Sequence, residues 1–246
     1  MGVRLFHFSL SHFSFFIYII MSPSYYSLYP KFHVAVDCII FGFRQGSLQL
    51  LLQKRPFEPR QGEWSLMGGF VKNDEDLDAA AHRVLNELTG IHNVYMEQVG
   101  AFGSVHRDSG NRVISVAYYA LLNMDKVDNA LSHVHSAYWE NVSTLPKLLF
   151  DHREMVEMAL HKLRGRIQRQ PVGFQMLPSL FTLTQLQQLY EAILGEPLDK
   201  RNFRKRVYEM PFIEKTPEVD KQTSKRGAAL FRFNDLEYRK ELIFKL

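Results

Sequence analysis

The chain has 246 residues, 46% hydrophobic and 23% charged, which is room for one large or two ordinary domains of a globular protein. A single cysteine excludes an internal disulfide framework, and Cys38, inside the apolar run VAVDCIIFGF, reads as a buried reduced thiol. The net charge of +4 is uneven: residues 1–160 hold 13 Lys/Arg against 16 Asp/Glu and residues 161–246 hold 17 against 10, so the second half is expected to face a polyanion.

In chain order, the first 20 residues, MGVRLFHFSLSHFSFFIYII, are apolar and aromatic. No small-x-small cleavage site follows, and His7, Ser9, Ser11, His12 and Ser14 interrupt them. They are expected to be an over-long start ahead of Met21 or an extension over residues 1–24, with no membrane association and a cytoplasmic location. From Lys31, FHVAVDCIIFGF and LQLLLQKR, joined by the turn RQGS, predict two strands. RPFEPRQGEW is a Pro/Gly loop. SLMGGFV leads into LDAAAHRVLNELTG, whose periodicity predicts a helix ended by Gly90. VYMEQVGAFGS and VISVAYYALL read as strands around the polar loop VHRDSGNR. HSAYWENVSTLP reads as a strand entering a turn and HREMVEMALHKLRGRIQ as a helix. RQPVGFQMLP breaks the pattern, so the boundary falls near residues 165–178, between an α+β domain over 25–165 and a second domain over 166–246.

In that second domain FTLTQLQQLYEAILG predicts a helix with Thr184 as N-cap and Leu186, Leu189, Tyr190, Ile193 and Leu194 on its packed face. EPLDKRNFRKRVYEM predicts another, with Phe203, Val207 and Met210 on one face and Lys200, Arg201, Arg204 and Lys205 on the other. FIEKT and AALFRF predict two short strands around the polar loop PEVDKQTSKRG. Helix, turn, basic helix and ribbon is the order of a winged helix-turn-helix. Cations on one helix face neutralise phosphates and reach base edges in the major groove, and Asn202 adds a side chain able to address adenine. Double-stranded DNA is the expected partner, with RNA or a protein as the alternative.

The stretch GGFVKNDEDLDAAAHRVLNELTGI runs from Gly68 to Ile91. It matches the Nudix signature (Gly, five residues, Glu, seven residues, Arg-Glu-apolar-x-Glu-Glu-x-Gly-apolar) at Gly69, Glu75, Arg83, Leu85, Glu87, Gly90 and Ile91. Val84 and Leu88 stand where the signature has glutamates. Divalent-metal hydrolysis of a diphosphate needs several carboxylates converging on the cation, and Glu75 with Glu87 is a thin set. The expectation is a Nudix-like fold with no hydrolase activity, no metal and no cofactor, and with a drier helix face suited to a ligand. Gly68 and Gly69 suit a strand-to-helix bend, and Arg83 and Glu87, four apart, are spaced to pair. No HExxH, paired Cys/His pattern, P-loop or GxSxG occurs, and His133 and His135 read as loop surface.

A box-degenerate Nudix domain followed by a basic winged helix resembles the Nudix-related transcriptional regulators of bacteria over residues 25–246. Within that family DCIIFGF, EWSLMGGFV, VYMEQVGAFG, FTLTQLQQLYEAI, DKRNFRKRV and SKRGAALF look closest to the arabinose-responsive branch of Bacteroides-type bacteria. The resemblance implies a homodimeric repressor whose Nudix domain binds L-arabinose and whose winged helices then release operator DNA. Another branch senses ADP-ribose, and nothing in composition or spacing chooses between the two. Carried over by position, the resemblance implies a recognition helix at Lys200–Arg206, a wing at Lys221–Arg226 that includes Lys225 and Arg226, and DNA contact from Thr184. It also implies an effector pocket between sheet and box helix, with Asp37, Trp64, Gly68, Gly69, Arg83 and Glu87 as candidates. Asp37, an acid inside an apolar strand, suits either sugar hydroxyls or a solvent face, and Trp64 either a sugar face or the core. The competing function is a residual Nudix pyrophosphatase acting on ADP-ribose or a sugar nucleotide.

Overall fold

The computed structural model describes residues 26–92, 94–131, 137–221 and 227–243. The expectations for residues 1–24 and for His133 and His135 therefore lie outside the described residues. The chain divides into two units, Met1–Phe32 and His33–Leu246. Within the first, Tyr26–Leu28 forms a 3₁₀ turn.

The second unit is organised around β1 (His33–Arg44), which is apolar on both faces because both faces are covered. β1 pairs in parallel with β6 (Val113–Leu122) from His33 to Gly42. Its other edge is divided: β4 (Met67–Phe70) runs antiparallel to Ala35–Cys38, and β2 (Ser47–Lys54) runs antiparallel to Ile40–Arg44. β5 (Met96–Phe102) lies outside β6, while β3 (Trp64–Ser65) and β7 (Ala137–Asn141) both pair with β2. Side chains alternate along a strand. Val36, Cys38 and Ile40 accordingly pack with Ala80, Ala81, Val84 and Leu85 of α1 (Leu77–Thr89). Ile39 and Phe41 face the other way, onto Met155, Ala159 and Leu163 of α3 (His152–Ile167). A short α2 (Met124–Leu131), absent from the periodicity reading, follows β6.

α1 starts and stops where its sequence says. The Asp76 carboxylate accepts the Ala79 N–H at the N-cap, and Gly90 ends the helix with φ 70°, a left-handed conformation that a Cβ disfavours. Cys38 is fully buried beneath this helix, and burial pushes its thiol pKa far up, leaving an inert protonated side chain.

The C-terminal part is a winged helix. α4 (Leu183–Leu194) and α5 (Lys200–Tyr208) pack on a sheet ordered β8-β10-β9, formed by Phe181–Thr182, Ala228–Phe233 and Ile213–Asp220, and α6 (Asp235–Ile243) follows. Leu186, Leu189, Ile193, Phe203 and Val207 are buried on the faces that their spacing predicts, Tyr190, Leu194 and Met210 are half-buried, and Leu183 is buried as well. Two expectations need correction. Thr182, not Thr184, caps α4: its hydroxyl accepts the Gln185 N–H at 3.2 Å and the Gln185 side chain accepts the Thr182 N–H at 2.8 Å. Thr184 sits exposed in the first turn. The polar loop is also shorter than expected, because Pro217–Asp220 continue β9 on the sheet edge, where a residue lacking an N–H is tolerated.

The two parts share one interior. The buried cluster around Ile39 and Phe41 continues through Met155, Leu163 and Ile167 of α3 into Phe174, Leu186 and Ile193. Polar ties reinforce it: Arg164 Nε donates to the Ile193 carbonyl at 2.8 Å, and the Asn123 amide donates to the Leu177 carbonyl at 3.1 Å. The break at RQPVGFQMLP is thus a packed connection, turned at Gly173 with φ 95°.

Candidate functional site

Opposite Gly68 in the β1–β4 ladder sits Asp37, whose parity in β1 points it to the α3 face, not to solvent. A Cβ at position 68 would lie 2.2 Å from Asp37 Oδ1, so only glycine leaves room for the carboxylate. The Ser115 hydroxyl donates to Asp37 Oδ2 at 2.5 Å. Arg107 Nη2 lies 3.9 Å from the same oxygen, and His152 Nε2 lies 3.7 Å from Oδ1. Arg107 is held elsewhere, by a two-pronged bond to Asp151 at 2.7 and 2.8 Å. His152 accepts the Leu66 N–H on Nδ1 at 3.1 Å. Burial lowers its pKa, outweighing the pull of Asp37 and Asp151, so the ring is neutral and carries its proton on Nε2, towards Asp37. A cavity of about 90 Å³ opens over Asp37, Gly68, Gly69, Arg107 and His152. Phe57 and Phe70, each more than half exposed, stand at its edge, and Arg55 contributes a second cation.

The box residues behave differently from a metal centre. Arg83 Nε and Nη2 donate to the two Glu75 oxygens at 2.8 and 2.6 Å, and Nη1 donates to Glu87 at 3.0 Å. Arg83 also donates to the Phe70 carbonyl at 2.9 Å, tying the helix to β4. The Arg83 bond, helped by the Lys72 N–H, holds the Glu75 pKa down at about 2. Both remaining box acids are thus engaged by one guanidinium. Val84 is buried against Gly69, where a Cβ would lie 2.8 Å from its Cγ2, and Leu88 packs on the same cluster. The dry face expected to meet a ligand is instead the inner face of the helix, filled by the sheet. Among the described residues no three His, Cys, Asp or Glu side chains converge as metal ligands would.

Of the residues expected at the pocket, the structure brings Asp37, Gly68 and Gly69 to the cavity. Arg83 and Glu87 stand beside it on α1, joined to it through Phe70. Trp64 is elsewhere: its ring packs on the core, with the Lys54 ammonium 3.7 Å over its face and Tyr138 edge-on. Sequence reasoning missed Arg107, Ser115, Asp151 and His152. Only the adjacent Asp151–His152 pair before a helix offered a signal, since Arg107 meets Asp151 across 44 residues and Ser115 meets Asp37 across 78.

α5 is capped by Asp199, which accepts the Asn202 N–H at 2.8 Å. Lys200, Arg201, Asn202 and Lys205 are exposed on it. Arg204 is half-buried, lining a cleft of about 890 Å³ between α5, the start of α4 and the β1–β2 turn, and its Nε has no hydrogen-bond partner among the described residues. The β9–β10 turn presents exposed Lys221, and Lys225 and Arg226 lie outside the described residues.

Comparison with known proteins decides the family. Residues 31–159 match the model of the NUDIX domain and residues 173–233 that of the NrtR DNA-binding winged helix domain. Over 214 residues the chain is 38% identical to the ADPR responsive transcriptional repressor NtrR of Acinetobacter baylyi, covering 85% of each chain. It belongs to the NrtR family of Nudix-domain transcriptional regulators. NrtR of Shewanella oneidensis in complex with a 27mer DNA matches with a TM-score of 0.75 at 28% identity, over 84% of this chain and 95% of that one. The NUDIX domain of the same NrtR in complex with ADP ribose matches with a TM-score of 0.50 at 28% identity, over 58% of this chain and 99% of that one. None of these NrtR relatives is described as arabinose-responsive, so the expected arabinose branch finds no support here.

Proposed function

We propose that this NrtR-family chain is a repressor that binds operator DNA as a dimer through its winged helices and lets go when ADP-ribose occupies the Nudix cleft. The observation that carries the reading is the buried Asp37–Arg107 cluster, open to a cavity between β4 and α3, in a chain whose 38%-identical relative is ADPR-responsive. Asp37 Oδ1, whose nearest described donor is His152 Nε2 at 3.7 Å, suits a ribose hydroxyl, while Arg107 and Arg55 suit a diphosphate. The cavity seats one end of such a ligand, and exposed Phe57 and Phe70 offer stacking surfaces for the base. We assign the effector role to Asp37, Gly68 and Gly69 in a domain over 25–165, with Arg83 and Glu87 shaping the wall. We assign DNA contact to Lys200, Arg201, Asn202 and Lys205, with the wing, in a domain over 166–246, which implies a cytoplasmic protein.

The same reading makes the chain a sensor and not a pyrophosphatase, because Val84 and Leu88 supply no metal ligand and Arg83 occupies Glu75 and Glu87. Calorimetric titration of the full chain tests it. ADP-ribose is expected to bind and L-arabinose not, with Asp37→Asn weakening ADP-ribose by about tenfold or more through loss of a charged acceptor. ADP-ribose incubated with the protein and Mg²⁺ is expected to persist, as followed by chromatography. Turnover abolished in Glu87→Gln would instead support an enzyme.

A further inference from the structure

Asp151 immediately precedes α3 and occupies its N-cap position, yet its side chain makes no bond to the helix. Aspartate at this position ordinarily accepts an N–H from the first turn and gains from the positive end of the helix dipole. Here both carboxylate oxygens are turned aside to Arg107, whose side chain is 3% exposed. Arg107 also lines the effector cavity and stands 3.9 Å from Asp37. From the cavity, α3 runs sixteen residues into the interior shared with the winged helix, where Arg164 holds the end of α4.

We infer that Arg107 is a latch, bonded to Asp151 in the free protein and to the diphosphate of the ligand in the bound one, so that occupancy of the cleft is passed to α3. This rests on the effector reading above and names its regulation. Two complete bonding arrangements exist for the same groups. In one, Arg107 has Asp151 and the first turn of α3 lacks its cap. In the other, a phosphate takes the guanidinium by the same two-pronged geometry, and Asp151 turns its ψ from 17° to the extended range of an N-cap and caps α3. The buried Arg107 guanidinium keeps an anionic partner in both arrangements, which is what allows a ligand to choose between them. Re-capping acts on the helix that anchors α4, and a small reset there moves the neighbouring recognition helix relative to its dimer mate.

Asp151→Asn separates the roles, because asparagine caps a helix as well as aspartate but cannot hold a guanidinium as a charged, two-pronged partner. In the full chain, D151N is expected to bind ADP-ribose several-fold more tightly than wild type and operator DNA several-fold more weakly without ligand. The ligand's effect on operator affinity, commonly about 5–150-fold in coupled systems, is expected to shrink to about twofold. Hydrogen exchange at Arg153–Met155 is expected to slow when inorganic pyrophosphate is added to wild type and to be slow already in D151N. Arg107→Gln provides a second variant, expected to lose ADP-ribose affinity about tenfold or more while binding operator like ligand-bound wild type.

If ADP-ribose fails to alter operator binding by wild type, the effector reading falls, and the latch is judged on D151N alone, which must still weaken operator binding. A folded D151N with wild-type operator affinity and wild-type exchange in the first turn of α3 overturns it.

Discussion

Glu75 and His152 respond to acid in the same direction for different reasons. The Glu75 pKa falls from an ordinary 4.5 to about 2 because Arg83 and the Lys72 N–H favour its charged form. A depressed carboxylate pKa stabilises the fold above the unfolded value and is lost as pH falls through the folded one, so this contribution declines between about 4.5 and 2. His152 is depressed by burial, which outweighs Asp37 and Asp151, with Arg107 and Arg55 also opposing a proton. Its neutral form is what the Leu66 N–H requires. The unfolded chain gains a proton near pH 6.5 that the folded chain refuses, so stability falls as pH drops below that value. Urea midpoints measured from pH 8 to pH 3 are expected to decline in both windows. Glu75→Gln is expected to make the lower slope shallower, with Glu63 and Glu214 still contributing to it, and His152→Gln to flatten the upper one. At this scale the sequence was only partly legible. The spacing paired Arg83 with Glu87, but Asp37 was left open between a ligand and solvent, and only the structure puts it on the face of Ile39 and Phe41. Asp37's partners come from β6, the 103–112 loop and the start of α3, and no local pattern announces such meetings.

Among the elements, most strands and helices were readable because their apolar residues recur with the right period and their ends carry caps. β3, β8, α2 and α6 were not: a two-residue strand has no period to read, and α2 and α6 fall in stretches to which the sequence reading assigned no element. The choice of Thr182 over Thr184 as the α4 cap was not readable from the Thr-x-x-Gln spacing, because Thr182 with Gln185 and Thr184 with Gln187 both fit it. Thr182→Ala is expected to cost about 1 kcal/mol, whereas exposed Thr184→Ala is expected to stay within about 0.5 kcal/mol, both read from thermal or urea unfolding. Leu163 of α3 is fully buried in the interior common to sheet and winged helix. Leu163→Ala is expected to cost about 3 kcal/mol and to shift one transition seen by calorimetry. Two transitions of which only one moves would contradict a shared core.

For the whole molecule, the basic half of the charge asymmetry is the half that matches the DNA-binding winged helix model, and Lys200, Arg201 and Lys205 are exposed on α5. Arg201→Ala and Lys205→Ala are expected to weaken operator binding, by about 1–3 kcal/mol where a base is read and with a shallower salt slope where a phosphate is neutralised. Effector identity was the least legible property. A cavity built of Asp37, Arg107, two glycines and two phenylalanines accepts more than one polyhydroxylated ligand on chemistry alone, and kinship to an ADPR-responsive relative favours ADP-ribose over the arabinose first expected. The most direct test is fluorescence anisotropy of the full chain on labelled DNA from upstream of its own operon, titrated with ADP-ribose and, separately, with L-arabinose. The account predicts salt-sensitive, sequence-selective binding that ADP-ribose releases and L-arabinose leaves unchanged. Selective binding released by L-arabinose, or unmoved by ADP-ribose, would contradict it.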